Sequence, residues 1–104
     1  VTFLGYKESK YYKQQKEFRM ELKEMPLSDI AQMVREDWTN PYFGAVPYLD
    51  AMATMESIED DYFLDGGDDI VIYFLANAQT WRGEVARNVK KELNRRFQDY
   101  KNNK

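Results

Sequence analysis

Trp81, Val85, Val89, Leu93, Phe97 and Tyr100 recur at steps of four or three residues, the spacing of one face of an α-helix. An apolar stripe of this length must be covered by other parts of the chain, so the core has to form against a C-terminal helix. The pattern predicts a helix over 81–100, with Thr80 as its N-cap and Gly83 in its first turn. Arg87, Lys90, Lys91, Arg95 and Lys101 fall on the arc opposite the stripe, whereas Arg82 and Arg96 fall within it. A guanidinium left unpaired in a dry interface costs several kcal/mol, about 3–5 when fully buried. At least one of those two arginines is therefore expected to pair with a carboxylate of the acidic stretch 56–69.

The rest of the chain supplies the cover. With 104 residues it reads as a single compact domain, 1–104. Surface scaling buries about two-thirds of the unfolded area, enough for one core without staples. Asp68–Ala78 is apolar without a break from Ile70 to Ala76, which fits a buried strand or a helix buried all round. β-Branched and aromatic content favours a strand. Asp68 as N-cap, Asp69 in a first turn and an Ala-Asn-Ala exit favour a helix, the reading taken for 70–76. Ile70, Tyr73, Phe74, Val85, Val89, Leu93 and Phe97 then form the centre of the core.

Ser28 caps a further segment whose Ile30, Met33, Val34 and Trp38 share one face. Pro47 suits the start of a helix over 46–55, and Ser57 begins one more short turn of helix. Near the N-terminus, Phe18, Met20 and Leu22 alternate with charged residues and 2–6 could supply a partner strand, while Tyr11, Phe18, Leu22 and Met25 also fit a helical stripe; a small N-terminal β-hairpin is the reading taken. The fold class expected is α+β, mainly helical, with four to five helices.

Charge is segregated. Residues 1–35 carry seven cations against five acids, residues 36–81 carry ten acids and no cation, and residues 82–104 carry eight cations against three acids. The net charge of −3 hides this layout, which bears on partners rather than on fold. The densest part is Glu56–Asp69, ESIEDDYFLDGGDD. Calcium-loop spacing fails there, because Gly66 at the sixth position puts Phe63 third and Ile72 last. No metal and no cofactor are expected. Glu59, Asp60, Asp61, Asp65, Asp68 and Asp69, with Tyr42, Tyr48, Tyr62 and Tyr73 in the same cation-free span, instead suit recognition of a basic protein partner. The alternative is nucleic-acid binding through Arg87, Lys90, Lys91 and Arg95 on the last helix.

Catalysis has little to work with. The chain has no Cys and no His, and none of Ser9, Ser28 and Ser57 sits in a nucleophile elbow. Gly66-Gly67 is not followed by a phosphate-loop lysine. The chain is therefore expected not to be an enzyme. No apolar run approaches the ~20 residues of a membrane span, and no leader opens the chain, so a cytoplasmic setting without membrane partners is expected.

NPYFGAVPYLDAM (40–52) and TWRGEVARNVKKELNRR (80–96) resemble small uncharacterised accessory proteins of Gram-positive phages and conjugative elements. The resemblance covers roughly the last two-thirds of the chain and assigns no site residue. It implies a cytoplasmic role around host or element machinery, exerted by binding, including the blocking of host defence enzymes. A structural or assembly role in a virion is a third class.

Overall fold

The computed structural model describes residues 21–103; the expected N-terminal hairpin lies outside them apart from Glu21, Leu22 and Lys23, of which Leu22 and Lys23 sit in a 3-10 turn. The fold is α+β and mainly helical. Among the described residues it comprises α1 (Leu27–Asp37), α2 (Val46–Met52), a two-stranded antiparallel hairpin of β1 (Asp61–Tyr62) and β2 (Asp65–Gly66), α3 (Gly67–Ala76) and α4 (Glu84–Asn102). Short 3-10 turns at Leu22–Glu24 and Phe43–Ala45 precede α1 and α2.

The apolar run 70–76 is a helix. α3 lies between α2 and α4, and α1 packs on both of those. Ile70, Val71 and Phe74 of α3 meet Ala86, Val89 and Leu93 of α4 in one core with Leu27, Ile30, Val34, Leu49 and Met52. Val85 and Phe97 pack on its edge, but Tyr73 is 45% exposed and does not belong to the centre. An unbroken apolar run carries no marker of which flank will face water, so the sequence reading placed Tyr73 inside.

α4 begins three residues later than the periodicity suggests. Gly83 takes φ 111°, in the left-handed region that a side chain resists, and this stops the helix from extending backward. Trp81 therefore precedes the helix. Its indole stacks on Trp38 at 5.7 Å, with the edge of Phe74 against both rings. Its Nε1–H donates to Asp37 at 2.9 Å. Thr80 is not the cap, and Arg82, outside the helix and exposed, does not share the stripe.

Two other caps differ for one reason: backbone carbonyls take the place of side chains. α1 starts at Leu27 with Pro26 as its N-cap residue, and the N–H groups of Leu27 and Ser28 donate to the carbonyls of Glu56 and Met55 at 2.9 and 2.8 Å. In α3 the N–H of Gly67 donates to the Asp60 carbonyl at 2.7 Å, so Asp68 sits within the first turn instead of capping it. α2 is shorter than expected, ending at Met52, after which Met55 turns back into the core. Residues 57–60 form a turn rather than a helix.

Candidate functional site

The acidic stretch folds into a turn, the hairpin and the start of α3, and this divides its six candidate acids into two groups. Asp60 is occupied locally: its Oδ2 accepts the N–H groups of Glu56 and Ser57 at 2.9 and 3.2 Å and so shapes the turn. Asp68 is buried, and its carboxylate accepts a hydrogen bond from Lys101 Nζ at 3.2 Å. Burial alone pushes the Asp68 carboxyl up. The Lys101 hydrogen bond and charge, with the backbone N–H groups of Asp69 and Asp68, outweigh that and hold it below the ordinary aspartate value. Glu59, Asp61 and Asp65 are exposed, and Asp69 is half-buried.

The aromatic residues of the same span fall into two surface groups. Tyr62, half-buried against the core, has the ring of Phe63 4.7 Å away. At the far end of α3, Tyr73 meets Tyr48 at 5.5 Å, while Tyr42 and Phe43 pair at 4.9 Å and stand 47% and 79% exposed. Asp69, Tyr73 and Ala76 follow one another at helical spacing along the outer side of α3. The span 36–81 thus presents acids at the hairpin and tyrosines toward the Tyr42 turn and contributes no cation of its own, while α4 brings Lys101 to Asp68 and Arg95 and Arg96 to the groove beside Glu59.

The basic arc of α4 is also divided. Arg87 and Lys91 are exposed. Lys90 Nζ donates to the Trp81 carbonyl at 2.7 Å and lies 6.0 Å from the Trp81 ring centre; burial, helped by the charge of Arg82, lowers its pKa. Arg95 bonds Glu92 and Asp99 on its own helix. Two of the four proposed phosphate contacts therefore already serve the fold.

The arginine expectation fails in its choice of partner. Arg96 is buried to 13% side-chain exposure, but its Nε donates to Glu92, one turn back on α4, at 2.6 Å, and its Nη2 to the Leu22 carbonyl at 3.0 Å. Among the described residues an ion pair to the acidic stretch is made by Lys101, from the arc read as solvent-facing. The i, i+4 Glu92–Arg96 spacing was the available signal, because a carboxylate one helical turn away is nearer than any across the core. Burial alone would raise the Glu92 carboxyl, but hydrogen bonds from Arg95 and Arg96, with their charges, hold it below the ordinary glutamate value.

Among the described residues no three acidic side chains converge as a metal-binding group, and no helix is long and apolar enough to cross a membrane. Comparison with protein-family models, with curated proteins and with solved structures finds no match for this chain.

Proposed function

We propose that this chain is a non-enzymatic binding protein of a phage or mobile element, whose acidic, tyrosine-bearing face engages a basic protein partner, in the most concrete form a nucleic-acid enzyme that it inhibits. The observation that carries the reading is the exposure of Glu59, Asp61, Asp65, Tyr42 and Tyr73 within a span that contains no cation. Exposed carboxylates in excess of the cations beside them steer a basic partner and exclude acidic ones. Half-exposed tyrosines add rigid, amphipathic contact area. The mobile-element setting rests on the resemblance of 40–52 and 80–96 alone.

The test uses the acids that the fold leaves exposed. A partner captured by the full chain is purified and titrated with wild type and with the E59Q/D61N/D65N variant. Affinity should drop at least tenfold, mostly in a salt-sensitive association rate. Unchanged affinity overturns the reading. Steep, salt-dependent retention of the chain on heparin or DNA resin, lost in R87Q/K91Q, moves the function to α4.

A further inference from the structure

Phe63 and Leu64 form the two-residue connection of the β1–β2 hairpin and are 87% and 101% exposed, the two most exposed large apolar side chains among the described residues. Hairpin connections this short ordinarily place Gly, Asn or Asp where φ is positive. Here the position with φ 56° is held by Phe63. A bulky residue in that region is strained, and its ring contacts only the neighbouring Tyr62 ring among the aromatic pairs of the described residues. Strain retained without burial in the fold points to a role outside it.

The rest of the hairpin holds this tip still. Tyr62 packs on the core, the Asp60 carbonyl receives the Gly67 N–H, and Lys101 bonds Asp68 just behind β2. Asp61 and Asp65 flank the tip on the two strands, both exposed, and Glu59, before β1, lies in a groove beside Arg95 and Arg96 of α4. An apolar centre inside a charged rim is the anatomy of an interface anchor, and rigid mounting lowers the ordering cost of binding. A second copy of this tip, or an anionic bilayer, would set carboxylates against like charge.

We infer that Phe63 and Leu64 are an apolar anchor that enters a hydrophobic pocket rimmed by Lys or Arg on a basic protein. The inference rests on the acidic-face reading for the sign of that rim, and on the tip's own exposure and backbone for the anchor.

The probe is a defined cationic pocket, hepta-amino-β-cyclodextrin, compared with neutral β-cyclodextrin and titrated into the full chain by NMR. Shifts should centre on Phe63 and Leu64. The cationic host should bind about tenfold tighter at low salt, as the two surface charge pairs of Asp61 and Asp65 allow. That preference should vanish in E59Q/D61N/D65N, and all binding in F63N/L64S. The F63N/L64S variant should melt at or above the wild-type temperature, since Asn accepts positive φ; a fall of more than about 5 °C would make the tip structural and overturn the anchor. Shifts located elsewhere also overturn it, leaving the acidic-face reading standing. Equal binding of both hosts at the tip overturns the basic pocket and the acidic-face reading together. Flotation of the wild type, but not F63N/L64S, with phosphatidylcholine vesicles would replace the protein partner by a membrane.

Discussion

Glu92→Ala should be one of the more damaging single substitutions in this chain, and a second substitution should repair most of the damage. Glu92 is 8% exposed and accepts three guanidinium hydrogen bonds: Arg95 at 3.0 and 2.7 Å and Arg96 at 2.6 Å. Arg95 is half-exposed and also holds Asp99, so its share is small, about 0.2–1 kcal/mol. Arg96 is 13% exposed and would keep only the Leu22 carbonyl. Losing one charged hydrogen bond costs about 1.5–3 kcal/mol, and stranding a fully buried charge about 3–5. Arg96 belongs near the lower of these ranges, so the substitution should cost about 2–4 kcal/mol. At about 4–8 °C per kcal/mol, the melting temperature falls by roughly 10–30 °C.

Urea unfolding followed by circular dichroism at 222 nm measures the cost, provided the slope of stability against urea stays constant. E92M/R96M removes both charges and fills the space with apolar atoms, and should lie within about 1 kcal/mol of wild type. A double variant as unstable as E92A would refute the reasoning, because the loss would then be packing and not an orphaned charge. The pH dependence has a definite sign. The Glu92 pKa is lower folded than unfolded, so its stabilisation is complete above the ordinary glutamate range and is lost as pH falls through the folded value. E92Q should therefore show a shallower acid limb than wild type.

Leu93 is fully buried between α3 and the rest of the core, and L93A should cost about 2–5 kcal/mol; a loss under about 0.5 would mean that α4 does not dock. By NMR titration Asp68 should ionise below the ordinary aspartate range and shift upward in K101M, with the stability of the pair lost as pH falls through the folded value; an unmoved Asp68 in K101M would exclude the contact. G67A should cost about 1–3 kcal/mol, since a Cβ there would run into the Ile58 carbonyl and come within 2.9 Å of the Asp60 carbonyl oxygen, both backbone; a neutral result would mean that the hairpin base is not tightly seated.

What could be read from residues alone follows the physics of each element. α4 and α1 announce themselves because one buried face imposes a period. α3 was legible as apolar but not as oriented, hence the misplacement of Tyr73. The hairpin at 61–66 was invisible, since strands of two residues show no alternation and its tip carries Phe-Leu where a turn signal would be Asn-Gly or a leading Gly. The density of acids in 56–69 was plain, but which of them the fold uses was only partly so. Asp60 accepts the Ser57 N–H in the S-x-x-D spacing of a capping box, a signal present in the chain, but Asp68 is held by a lysine 33 residues on, which no pattern marks. Gly83 reads from the chain as a residue of the first turn; its positive φ, which delays the helix and leaves Trp81 to stack on Trp38, has no mark in the periodicity.

The seam between the start of α1 and residues 55–56 has a kinetic meaning. First-turn amides of a helix have no partner within it and ordinarily trade their hydrogens with water at once. Here those of Leu27 and Ser28 are spent on the Glu56 and Met55 carbonyls, which come from a loop nearly thirty residues away. Deuterium can reach them only when the two segments part. Their exchange therefore reports the parting of this seam, from positions where the fraying of one helix would ordinarily be read.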